Sequence, residues 1–325
     1  MKRKRFVLVF VLYLFIFQWA MNGESAETKI LNFGWTSGSI WTALPFNVAA
    51  ERGFFDKEGL KVRFIQFQGA NLMLTALLSG EVDAVAILPF IAGAAVRGLP
   101  VKIVAAATKA SGYAIISKPE IGSLKALKGK RIAINSFGSS ADFAIYKALS
   151  RVGLDPNKDV TLAAISGSPD ARFAALIGGS VDATVVNSPL EYRAEQKGFK
   201  TLVSVREMAE FVKIPLTGVS VYQKKIDREP DEIVQLLRAL RTGILFLQNQ
   251  RDIGVGLMEK TLQLDRGAAE KFYAQYREQY NPDLTVPDSV AEEWIAVGVF
   301  RAKEQEKKVV RPQVVYDWTF AEKAK

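Results

Sequence analysis

Short apolar runs and amphipathic stretches alternate along most of this chain. The segments 29–34, 61–67, 84–88, 101–107 and 112–117 are apolar, too short for helices, and read as strands. Between them, about 41–52 and 70–79 carry apolar residues at helical spacing and stop at Gly53 and Gly80. A short helix is expected over 90–97. The same grammar returns downstream, with strands at 131–135, 160–165, 184–187 and 201–205 and helices at about 140–153 and 169–178. The run 216–222 reads as a returning strand. From Pro230 onward the period becomes helical: Ile233, Leu236, Leu237, Leu240 and Ile244 form one stripe. Further helices are expected at about 252–261, 266–279 and 287–306, packed as a cap on the first half. Strand–helix alternation argues for parallel α/β sheets throughout.

The first two-thirds of the pattern is a repeat. Leu77, Leu78, Gly80, Val82, Asp83 and Ala84 fall opposite Leu176, Ile177, Gly179, Val181, Asp182 and Ala183 at a constant offset of 99. Upstream, 30–53 parallels 130–153 at an offset of 100, each with a Gly-Ser pair (Gly38-Ser39, Gly138-Ser139) opening the helix. A unit this long exceeds a solenoid repeat of about 20 to 50 residues. It predicts two similar α/β lobes holding one ligand between them.

Residues 1–26 stand apart. Lys2-Arg3-Lys4-Arg5 precedes an apolar run over 6–20, and small residues follow at Gly23, Ser25 and Ala26. That is the layout of a secretory signal peptide, and the run is short for a membrane span, which takes about 20 residues. An uncleaved anchor is the other reading. The chain has no cysteine, so it offers no disulfide framework, no thiol catalysis and no lipid-anchor cysteine. It also has no histidine, the commonest general base and catalytic metal ligand. Export into the periplasm as a soluble monomer is expected. Without 1–26 the balance is 39 basic against 33 acidic residues, mild and scattered, which argues against a nucleic-acid partner. Nothing in the chain calls for a cofactor or a metal.

In open α/β sheets ligands sit outside the carboxyl ends of the strands. Those ends carry Thr36, Ser37, Gly38 and Ser39; Asn71; Pro89 and Phe90; Phe137, Gly138, Ser139 and Ser140; Ser168; Asn187 and Ser188. Several open helices, whose free N–H groups suit an anionic or polar group. Each serine can equally be a plain N-cap. Trp35, Trp41, Phe90 and Phe137 are candidates for stacking on an organic ligand, or for core packing. Asp83 and Asp182 precede their strands, at the far end from these loops, and read as structural rather than catalytic. Lys109 and Arg172 are the nearest cations, and both are expected to face solvent.

Five segments carry a family resemblance: Ala49-Ala50-Glu51-Arg52-Gly53-Phe54-Phe55, Leu78-Ser79-Gly80-Glu81-Val82-Asp83-Ala84, Leu124-Lys125-Ala126-Leu127-Lys128-Gly129-Lys130, Gly138-Ser139-Ser140, and Gly179-Ser180-Val181-Asp182-Ala183. With them the chain resembles the substrate-binding proteins of nitrate-, sulfonate- and taurine-type ABC importers, a group that includes thiamine-precursor binders. The resemblance implies a type II periplasmic-binding fold whose two lobes are joined by two crossover strands. It implies closure on a small molecule and delivery to a permease and its ATPase. On that basis 27–117 begins lobe 1, 118–215 forms lobe 2, and 216–325 supplies a return strand and the C-terminal helices of lobe 1. In sulfonate-type members a Gly-Ser-Ser loop and an aromatic-Asp-Pro segment line the ligand. The first is present here at 138–140. Asn187-Ser188-Pro189 stands in for the second, lacks the aromatic and the Asp, and points away from an alkanesulfonate.

Two other functions fit the same pattern. One is an enzyme of the thiamine-pyrimidine-synthase type, which the missing histidine and cysteine oppose. The other is a ligand sensor for a membrane receptor.

Overall fold

The computed structural model describes residues 30–36, 40–67, 69–301 and 310–325, without the side chains of Ile40 and Trp41. The predicted signal segment lies outside them. The strands are β1 Ile30–Thr36, β2 Lys61–Phe67, β3 Ala84–Val85, β4 Val101–Ala106, β5 Tyr113–Ser117, β6 Arg131–Ile134, β7 Thr161–Ala164, β8 Ala183–Asn187, β9 Lys200–Val203 and β10 Gly218–Tyr222. Among the described residues they form two five-stranded sheets, ordered β2-β1-β3-β10-β4 and β7-β6-β8-β5-β9. The repeat is thus visible in the topology, strand for strand.

The sheets are not parallel throughout. In each, the fourth strand runs against its neighbours: β10 against β3 and β4, β5 against β8 and β9. A parallel partner needs a crossover that carries the chain back to the starting edge of the sheet. Strand β5 has none: it follows the carboxyl end of β4 after a short link, so it enters the second sheet at the same edge and runs down it. Strand β10 returns to the first sheet after the helix Val205–Phe211, again entering at the carboxyl edge. Because β5 pairs within the second sheet, the chain changes sheet at 107–112, ahead of the division after Ser117 drawn from the sequence.

The repeat aspartates do the same job twice. Asp83 accepts the Asn32 N–H at 2.8 Å, and Asp182 accepts the Arg131 N–H at 2.9 Å, each tying one strand's start to its neighbour's. Each then pairs with a lysine just beyond a crossing strand: Asp83 with Lys225 at 3.2 Å, Asp182 with Lys118 at 2.7 Å. Asp182→Ala therefore removes a charge-assisted hydrogen bond and should cost about 1 to 3 kcal/mol of stability. Ligand affinity should stay within twofold, since this is the far end of the sheet; urea unfolding beside a ligand titration checks both.

The C-terminal helices cap the first lobe, as expected. Helix Pro230–Asn249 lies so close to Ile40–Glu51 that a Cβ on Gly243 would fall 2.5 Å from the Pro45 carbonyl oxygen. Helix Asp288–Val299 meets Pro89–Val96 through Gly298, where a Cβ would come within 2.8 Å of the Gly93 Cα. They also reach the second lobe. Tyr192 donates to Gln275 at 2.9 Å, and Lys147 pairs with Glu293 at 3.5 Å.

Candidate functional site

A cavity of about 860 Å³ opens between the carboxyl ends of the two sheets. Its two walls differ in kind. From the first lobe come mainly aromatic rings, Phe33, Trp35, Phe46, Phe64, Phe67 and Phe90, together with the polar Asn47 and Asn71 and the exposed Arg97. The second lobe gives Tyr113, Asn135, Ser140, Ser168, Arg172 and Asn187, a polar pole. No carboxylate lines the cavity among the described residues.

Most of the residues expected from the sequence meet here. Thr36 ends β1, Asn71 lies in the first turn of Ala70–Ser79, and Pro89 and Phe90 open Pro89–Val96; all four line the cavity. Phe137 stands on the rim, 59% exposed. Gly138 has φ 79°, in the left-handed region that glycine adopts freely, and its N–H donates to Asp142 at 2.9 Å. Ser139 and Ser168 are N-caps: their hydroxyls accept the Asp142 N–H at 3.3 Å and the Ala171 N–H at 3.4 Å. Ser140 is not tied up in this way and shares a 2.8 Å hydrogen bond with the Tyr113 hydroxyl. Asn187 ends β8 beside them, 8% exposed. Ser37, Gly38, Ser39 and the Trp41 side chain lie outside the described residues.

Ser188 departs from the expectation. It is buried and does not line the cavity; its hydroxyl bonds Glu191 and Tyr276 behind the cleft. It lies in the turn just beyond β8, where its hydroxyl is held by the helix Leu190–Gln196 and by Tyr276.

Arg172 departs in the other direction. Expected in solvent, it is 3% exposed and lines the cavity. Its Nε donates to the Val185 carbonyl at 3.3 Å, and no salt bridge to a carboxylate is present among the described residues. Asp170, two positions away, is engaged by Arg193 at 3.0 Å. Burial lowers the Arg172 pKa, with Tyr113 and Asp170 acting the other way, but a guanidinium stays protonated. The pattern held a signal for it. Pro169, Arg172, Phe173 and Leu176 are the buried positions of their helix, a regular i, i+3, i+4, i+7 stripe with a cation in it. Tyr113 was equally missed; burial raises its pKa, so it meets a ligand as a neutral hydrogen-bonding group.

The family model described as NMT1/THI5 like matches residues 42–252. The chain belongs to the NMT1/THI5-like family. Over its whole length it is 31% identical to a Bacillus subtilis (strain 168) protein named as a putative aliphatic sulfonates-binding protein, of which it covers 97%. The alkanesulfonate-binding protein SsuA from Xanthomonas axonopodis pv. citri, solved with bound MOPS, superposes with a TM-score of 0.72 at 19% identity, over 90% of this chain and 99% of that one. The desulfurization enzyme DSZB superposes at 0.69 and 15% identity, over 91% and 98%. The two structures establish the periplasmic-binding fold, which is home to binding proteins and to at least one enzyme. The resemblance read from the sequence to nitrate-, sulfonate- and taurine-type binding proteins agrees with the first two of these relatives, and neither supports reading Asn187-Ser188-Pro189 against an alkanesulfonate.

Proposed function

We propose that this family member is the solute-binding subunit of an ABC importer, acting as a monomer outside the cytoplasmic membrane. Its ligand is an organic anion with an apolar tail, a sulfonate or a similar monoanion. The carrying observation is Arg172, a buried cation facing the cavity with no carboxylate partner among the described residues. Placing a charge in low dielectric is costly unless a counter-charge arrives, and a bound anion supplies one. Ser140, Tyr113 and Asn187 add hydrogen bonds at the same pole, and the aromatic bay opposite takes the tail. The volume is that of a site for an organic molecule rather than for a bare inorganic anion. Among the described residues no carboxylate lines the cavity to pair with an ammonium group, which disfavours amino-sulfonates such as taurine relative to simple sulfonates.

The geometry supports uptake. Head and tail are gripped by different lobes, so both contacts form together only when the lobes approach, and a permease can recognise that closed shape. A melting series with butanesulfonate, hexanoate, taurine and butylamine tests the ligand class, because ligand raises stability by mass action, about 2.7 kcal/mol at a hundred times Kd. Butanesulfonate or hexanoate should raise Tm, and taurine less. Stabilisation by butylamine alone would overturn the assignment.

A further inference from the structure

The loop Phe137–Ser140 is held from outside its own lobe. Asp142, fully buried, accepts the Gly138 N–H and is capped in turn by Ser139. Its carboxylate receives a bidentate grip from Arg301, Nε at 2.8 Å and Nη2 at 2.7 Å. The same guanidinium lies 5.5 Å from the centre of the Phe137 ring and 5.2 Å from that of Phe300, and donates to Asn157 at 2.7 Å. Arg301 follows helix Asp288–Val299, which is docked through Gly298 on the first-lobe helix that carries Pro89 and Phe90. One arginine thus links the wall of the first lobe to a cavity-lining loop of the second.

We propose that Arg301 is the positioning residue of this site: reaching across from the first lobe, it fixes Phe137–Ser140 through Asp142 and couples loop geometry to lobe closure. The inference rests on the ligand site proposed above. A planar, bidentate, aromatic-stacked guanidinium fixes both distance and angle, which a point charge does not. The carboxylate is buried and the arginine side chain 27% exposed, so the pair is poorly screened by salt.

The chain lacks cysteine, so Glu51→Cys with Lys197→Cys places spin labels on exposed positions of the two lobes without background. Arg301→Ala strands a buried carboxylate and can unfold the protein. The working variant is therefore Arg301→Met with Asp142→Asn, which leaves no unpaired charge and keeps an oxygen for the Gly138 N–H. Without ligand, its inter-lobe distance distribution should broaden toward longer values, and butanesulfonate should bind at least tenfold more weakly. Arg301→Lys should recover only part of each. A parental distance distribution together with affinity within twofold would overturn the proposal, and a lower Tm alone would mark the pair as merely structural. If the parent binds no probe anion, the ligand class proposed above fails, and the ligand-free distances still decide the role of Arg301.

Discussion

Arg172→Met should abolish useful anion binding while leaving the protein folded, and no less stable without ligand. Truncating one partner of a buried, hydrogen-bonded charge pair costs about 2 to 5 kcal/mol of binding, a loss of roughly 30-fold to several thousand-fold. The unliganded protein experiences the opposite. There the guanidinium is desolvated and has no carboxylate to offset it, and replacing buried charge with an apolar chain of similar volume is often neutral or stabilising. The Val185 carbonyl loses the Arg172 Nε but keeps the Thr184 hydroxyl at 3.3 Å, so the change leaves no stranded acceptor. Titration calorimetry with butanesulfonate and urea unfolding of the apo protein together give the answer. Retained affinity would remove Arg172 from the site. Lost affinity with a strong fall in apo stability would make it a structural residue instead.

Much of this architecture was legible because the repeat is written in residues that backbone geometry demands. Gly80 and Gly179 both have positive φ, and Asp83 and Asp182 bind the neighbouring strand at the same point of each sheet. Such requirements are local, so a single sequence displays them. The antiparallel fourth strands were not legible, since β5 and β10 look like any buried strand and their direction depends on which edge of the sheet the chain reaches first. Local pattern also misplaced two site residues. Arg172 was assigned to solvent by its charge, although its helical position put it on the buried stripe. Ser188 adjoins Asn187 at the strand end, but its hydroxyl is taken up behind the cleft by Glu191 and Tyr276. For Arg172 periodicity outranked residue type, and for Ser188 a contact distant in sequence decided. Arg301 is legible in neither way, because it meets Asp142 across 159 positions of sequence.

The protein should lose stability as pH rises from about 5 to 8, and Glu191 should be the reason. This carboxyl is buried behind the cleft, where its Oε1 meets Ser188 and Tyr276 and its Oε2 has no hydrogen-bond partner among the described residues. Burial pushes its pKa up to about 7, with Glu195 adding to the rise and the hydrogen bonds from Ser188 and Tyr276 opposing it. The other ionisable group facing it is Tyr192, itself shifted upward by burial and neutral in this range. In the unfolded chain the same carboxyl titrates near its ordinary value of 4.5. Between those values the native state holds the proton and the unfolded state has lost it. The stabilisation is therefore complete below about 4.5 and disappears as pH climbs through about 7, a total of roughly 3 kcal/mol at 1.36 kcal/mol per unit. With no histidine or cysteine in the chain, no other side chain ordinarily titrates in that window. Glu191→Gln keeps a neutral, hydrogen-bonding side chain of the same length. It should flatten the profile and leave the variant more stable than the parent at pH 8, as read from urea midpoints at half-unit intervals. A parental profile already flat from pH 5 to 8 would show that Glu191 is ionised in the native protein. A slope that survives in Glu191→Gln would assign the titration to another group. Because Ser188 and Glu191 belong to the second lobe and Tyr276 to a C-terminal helix of the first, the titrating carboxyl sits at a contact between lobes, and the same pH series should show whether ligand affinity changes with it.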